Sequence, residues 1–118
     1  MITFLEFIDH LKLRFIAKTP KDRAKGLMHQ IPLASNEGVL FIYDVPTKAK
    51  FWNKNVNFPI QIGFFDQQHR LVSIEHLNAE QRESVGCNSF YRYALETFDG
   101  FFDNIPIGTL LEKIIKIP

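Results

Sequence analysis

Residues 51–66, FWNKNVNFPIQIGFFD, place Trp52, Asn53, Lys54, Asn55 and Gln61 inside a run that is mostly apolar. An aromatic plane beside amide and ammonium groups suits a small sugar-like or carboxylated molecule. The indole covers an apolar face, and the polar groups bond directionally. Two residues elsewhere have matching chemistry. Arg23 offers a planar fork for an anionic or hydroxylated group, and Glu96 alternates with Ala94 and Phe98 on an apolar strand pattern. The candidate ligand-binding set is therefore Arg23, Trp52, Lys54, Asn55, Gln61 and Glu96.

Each member also has a plainer use. A buried Trp removes on the order of 200 Å² from water, worth up to about 5 kcal/mol at ~25 cal/mol per Å², which by itself explains a core residue. Arg23 and Glu96 can pair with each other, because buried charges need partners. Lys54 can lay its stem along the surface. Asn53 and Asn55 can satisfy turn backbone ahead of Phe58-Pro59, and Gln61 can bond either backbone or ligand.

Catalytic readings rest on less. Cys87 lies in the polar stretch NAEQRESVGCNS with Asn88 and Ser89, and the histidines are His10, His29, His69 and His76. A Cys-His pair or a buried Glu96 acid would suit a small hydrolase. His69 and His76 lie about 23 Å apart on an extended strand, too far to share a metal. Asp66 and His69 fit a hairpin turn. No metal or cofactor motif is present, and the expected cofactor set is empty.

These groups must be positioned by short elements. TPKDRAKGLMHQI reads as a helix over about 20–30, with Thr19 as N-cap, Pro20 in the first turn and a stripe of Ala24, Leu27, Met28 and Ile31. Residues 1–18 read as two strands meeting near Asp9-His10, since Leu11, Leu13, Phe15 and Ala17 alternate with mostly polar neighbours. Strand patterns follow at 38–44, 48–54, 60–66, 70–76 and 91–98. DGFFDN supports a one-turn helix over about 99–104, leaving Phe101 or Phe102 exposed, and TLLEKIIKI reads as a closing edge strand. Extended, 51–55 turns Trp52 and Lys54 to one side. In the next strand Gln61 and Gly63 share a face. If the two strands are neighbours, Gln61 and Gly63 border Trp52 and Lys54, and Gly63 leaves room above the sheet. The expected fold is mainly β (α+β): a compact, antiparallel, barrel-like sheet with one short amphipathic helix and a one-turn helix.

Composition limits the function classes. The 118 residues are 46% hydrophobic and 14% aromatic, with twelve Phe, enough for one domain with one core spanning 1–118. Lys+Arg number 14 against 13 Asp+Glu, for a net charge of +1, which argues against binding nucleic acid through charge. The single cysteine excludes an intrachain disulfide. MITFLEFIDH lacks the basic start of a secretory signal, and no run reaches the length of a membrane span, so a soluble cytoplasmic protein is expected.

RAKGLMHQIPL, EGVLFIYD, FWNKNVNFPIQIGFFD, YALETFDG and IPIGTLLEKI, in that order, resemble the DUF192 (UPF0127) family of small proteins over roughly residues 11–117. The resemblance implies a compact β-rich fold with a short helix and no particular activity. Its pattern maps onto Arg23, Gly26, Leu27, Met28, Gly38, Leu40, Phe41, Phe51, Trp52, Lys54, Asn55, Pro59, Phe65, Asp66, Leu95, Glu96, Gly100 and Gly108. Val39 and Asn53 stand where the family pattern has Met, Gln61 where it has Asp, and Thr109 where Asp is common. The loss of a carboxylate at 61 weakens any metal or general-base role there.

The resulting expectation is a non-catalytic domain that binds a small polar ligand around Trp52. It has no nucleic-acid or membrane partner and is a monomer or weak homodimer. The alternatives are a small hydrolase using Cys87 or Glu96, and a structural accessory docking a partner through exposed aromatics.

Overall fold

The computed structural model describes residues 10–117. Its frame is a five-stranded mixed sheet in the order β1-β2-β5-β3-β4. The strands are β1 (Lys12–Ala17), β2 (Glu37–Thr47), β3 (Ile60–Phe65), β4 (Leu71–Leu77) and β5 (Tyr91–Phe98). β1 runs parallel to β2, and every other pairing is antiparallel. The sheet stays open and does not close into a barrel. The parallel pair requires a crossover, and residues 18–36 supply it through α1 (Pro20–Lys25). Arg14 fastens this crossover: its guanidinium pairs with Glu37 at 2.8 Å and donates to the carbonyls of Ile31 and Pro32. That hydrogen bond holds the Glu37 carboxyl below its ordinary range.

α1 begins as its sequence requires, with Thr19 Oγ1 accepting from the Asp22 amide at 3.1 Å and Pro20 in the first turn. It ends early, at Lys25. Gly26 has φ +47°, and a Cβ there would lie 3.3 Å from Phe41 Cζ, so the chain turns where only glycine fits closely against the sheet. The apolar stripe expected to 30 therefore breaks. No residue within α1 is buried; Leu27, just beyond it, is buried, and Ile31 is 74% exposed.

Both faces of the sheet are covered. On one lie Val39, Phe41, Ile62, Phe64 and Ala94, packed by Leu27, Phe51, Val56 and Phe58 from the connecting segments. On the other lie Leu40, Phe65, Leu71 and Leu95, packed by Phe102, Ile105, Leu111, Ile114 and Ile115. A strand covered on both sides reads as a nearly continuous apolar run, as IQIGFF in β3 does. The C-terminal segment supplies the second cover as turns and one 3-10 turn, Leu111–Lys113, rather than as the expected edge strand. Residues 99–104 form consecutive turns, not a one-turn helix. Segment 48–54 is also irregular: its one bridge, Phe51–Val85, lies outside the named strands, and it meets the sheet through the packing of Phe51 and the bond from Tyr91 Oη to the Ala49 carbonyl. The expected first strand of the N-terminal hairpin, before Asp9-His10, lies outside the described residues.

Gly63 illustrates how tightly the second face is filled. A Cβ at this position would fall 2.4 Å from Phe102 Cζ, so the space above the glycine is occupied by that ring. Phe102 is 1% exposed. Gly63→Ala is expected to destabilise the domain by about 1–3 kcal/mol through overpacking. In a Phe102→Leu background the same substitution should cost clearly less. Denaturant unfolding of the two singles and the double measures this; additive costs would show that Phe102 does not set the limit.

Candidate functional site

The hollow on the first face encloses about 120 Å³. Its floor is Glu96 on β5, with Phe41 and Tyr43 on β2; Arg23 stands on one side, and Trp52 and Lys54 on the other. Four of the six residues expected from the sequence thus converge. Each is placed by its element. The register pairs Glu96 with Val39 on one side and Ile62 on the other, which puts its side chain on the first face of the central strand. Arg23 sits in the last turn of α1, where Nη1 donates to the carbonyls of Lys18 and Ile42, and its guanidinium stacks 4.5 Å above the Tyr43 ring. Phe51 and Asn53 are buried, so the intervening Trp52 is turned outward, 45% exposed, with Lys54 Nζ 5.5 Å from its ring centroid.

Arg23 and Glu96 do not form the ion pair that the sequence allowed. Among the described residues the Glu96 carboxyl has no hydrogen-bond or ion-pair partner, although the residue is 4% exposed. Burial pushes its pKa up to about 8. Burial also raises Tyr43, which Glu96 reinforces and Arg23 opposes. At neutral pH the floor is therefore a carboxylic acid and a phenol, both uncharged. The rim carries the cations Arg23, Lys25, Lys50 and Lys54.

Gln61 and Asn55 lie elsewhere. Gln61 pairs with Thr97 and faces the second side of the sheet, where Oε1 accepts from the Phe102 amide at 2.7 Å and Nε2 donates to Asp103 at 3.0 Å. The Trp52 segment is not a strand beside β3, and a shared hollow with Gln61 and Gly63 does not exist. Asn55 has φ +61° and faces a separate surface dip with His29, Gln30, Asn57 and Glu80. Asn53 does what turn chemistry suggests: Nδ2 donates to the carbonyls of Phe58 and Asn78 at 3.1 and 3.0 Å. Tyr43, Lys25 and Lys50 were not expected at the site. Only Tyr43 left a signal, as the third member of the alternating series Val39, Phe41, Tyr43.

The other candidates separate as well. Cys87 is buried in the first-face core and does not line the hollow. His69 reaches Glu112 and Tyr93, whereas His76 bonds Asp99 and Asn78. Asp66 forms the expected turn, its Oδ1 accepting from the Gln68 and Arg70 amides. Among the described residues, no group of three or more His, Cys, Asp or Glu gathers to hold a metal, and no helix is long and apolar enough to cross a membrane.

Comparison with known proteins gives a family and a fold. No curated protein matches the chain. A crystal structure of a protein of unknown function from Novosphingobium aromaticivorans is similar, with a TM-score of 0.76 and 27% identity over 81% of this chain and 71% of that one. A candidate transcription regulator from Sinorhizobium meliloti has the same fold, with a TM-score of 0.78 and 23% identity over 83% and 78% of the two chains. The family model described as Uncharacterized ACR matches residues 10–112. With that span matched, the chain belongs to the DUF192 family.

Proposed function

We propose that this domain binds a small polar ligand in the hollow between α1 and the 50–56 segment. The observation that supports this reading is Glu96, a 4% exposed acid on the central strand that lines the hollow and has no hydrogen-bond or ion-pair partner among the described residues. A buried polar group without a partner calls for an explanation, and a ligand is one that also uses the neighbouring groups. The neutral acid offers a hydroxyl donor and an acceptor, Arg23 and Lys54 offer charge, and Trp52 offers a flat apolar surface at the mouth. The hollow has a volume of about 120 Å³. It admits a head group, with the rest of the molecule lying over Trp52. A hydrolase using Cys87 or Glu96 draws less support, since the thiol is outside the hollow and no nucleophilic thiol or imidazole lines it beside Glu96.

Glu96 also links the stability of the domain to pH. Its ordinary value is 4.5 and its folded value is about 8, so between these the folded state holds a proton that the unfolded chain has released. Stability therefore falls as pH rises through that window, is unaffected by Glu96 below it, and carries the full penalty above it. Glu96→Gln removes the titration. The variant should show a flatter dependence of Tm on pH between 5 and 9 and should exceed the parent in stability at pH 9. Parallel profiles for the two proteins would show that Glu96 ionises normally.

Ligand binding is tested by thermal shift across simple sugars and small carboxylates. A true ligand at 100 times its Kd stabilises by about 2.7 kcal/mol, a rise of roughly 10 °C for a domain of this size. Trp52→Ala, folded by circular dichroism, should lose most of that shift. Hits that survive the substitution unchanged, or no hit in either class, would defeat the proposal.

A further inference from the structure

We infer that the hollow selects a planar carboxylate attached to a ring-sized body, of the kind found in a sugar acid, and that Glu96 must be protonated for it to bind. This deepens the ligand-binding reading above and rests on it. Three observations carry it. First, the charge around the hollow is one-sided: Arg23 and Lys25 come from α1 and the turn after it, Lys50 and Lys54 from the segment before β3, and Glu96 is the single acid. Second, Arg23 spends only Nη1 on protein carbonyls, leaving Nε and Nη2 without a partner among the described residues. That free edge is the fork that meets a carboxylate with two parallel hydrogen bonds. Third, the hollow has a volume of about 120 Å³ and is lined by Trp52, which is 45% exposed, so a ring attached to a bound head group has an aromatic surface to lie against.

Glu96 is the group that decides whether an anion can enter. The other titratable and charged groups sharing its space are Arg23, Lys25, Lys50, Lys54 and Tyr43, while β3 presents Ile62 beside it. Protonated, Glu96 donates a hydrogen bond to the ligand carboxylate. Ionised, it meets the ligand as a like charge, and two carboxylates in a desolvated site cannot both remain charged. Burial holds Glu96 in the protonated form at neutral pH. Tyr43 is also pushed upward and stays uncharged through the same range.

Trp52 is the sole tryptophan, so intrinsic fluorescence reports on the mouth of the hollow. The probes are D-glucuronate, D-glucose and inorganic phosphate, titrated from pH 6.5 to 9.5 into the parent and Glu96→Gln, with folding followed by circular dichroism. Glucuronate should change the emission and glucose should not. Its affinity for the parent should fall at least roughly tenfold between pH 7 and 9.5, the slope of a single required proton. For Glu96→Gln it should be flat, because an amide donates at every pH. If that variant does not fold, the pH profile of the parent still decides. Equal binding of glucose and glucuronate, or a flat profile in the parent, overturns the inference while the ligand site stands. Phosphate binding as well as glucuronate overturns the planar carboxylate. Silence from all three probes, in emission and in thermal shift, overturns this inference; silence across the wider sugar and carboxylate panel as well removes the ligand site beneath it.

Discussion

The central strand β5 is buried on both faces, and this constraint governs the rest of the molecule. A strand so placed can carry apolar side chains freely, but a charge on it loses its hydration on every side. Ala94, Leu95 and Thr97 obey the constraint, and Glu96 does not. The sheet accommodates the exception by leaving a gap in the cover over that one position. α1 stops at Lys25, Gly26 swings the chain against Phe41, and Leu27 rather than the helix becomes the packing residue. The hollow is the space between that turn and the 50–56 segment. Had the helix continued along its apolar stripe to Ile31, it would have lain across the same ground.

The far wall of the hollow is irregular backbone, held by specific bonds rather than by a sheet ladder. Phe51 exchanges two backbone bonds with Val85, and Asn53 ties its amide nitrogen to Gln81 and its side chain to Phe58 and Asn78. Asn55 accepts from the His29 amide and receives the Glu80 carboxylate on its own amide, while the Glu80 amide reaches Val56. His29, Asn55 and Glu80 all have φ near +60°, and these three turns are tied to one another around the separate dip, behind the segment that carries Trp52. Phe51 and Asn53 pin the backbone on both sides of Trp52. The backbone that carries the exposed indole is thus held on both sides.

Much of the fold was legible where the pattern was local. β2, β3, β4 and β5 follow from short apolar or alternating runs between turn residues, and the start of α1 follows from Thr19 and Pro20. The parallel pairing of β1 was not legible, because alternation in LKLRFIA sets faces and says nothing of direction. The 99–104 and 109–117 segments misled for a related reason. Their apolar residues serve as a lid on the second face, and a lid made of turns has no period to recognise. Arg23, Trp52, Lys54 and Glu96, grouped by residue type and alternation, do line one hollow. Gln61 was misplaced by one inference, that 51–55 pairs with β3. Its neighbour in the sheet is Thr97 on β5, and a strand's partner is a property of topology that the local sequence does not contain.

Gln61 then acquires a different meaning. The family pattern has Asp at this position, and the lack of a carboxylate weakens any metal or general-base role there. In the fold the side chain faces away from the hollow and serves the turn that carries Phe102. It performs two opposite tasks there, accepting from the Phe102 amide and donating to the Asp103 carboxylate. An ionised Asp could accept only, would reach less far, and would place a second carboxylate beside Asp103. Gln61 and Asp103 are therefore compatible as a pair where two acids would repel. The turn they hold sets Phe102 above Gly63, closing the second face of the sheet under the strand that bears Glu96. The departure at 61 thus belongs to the scaffold, while Glu96 and Arg23, which line the hollow, both match the family pattern.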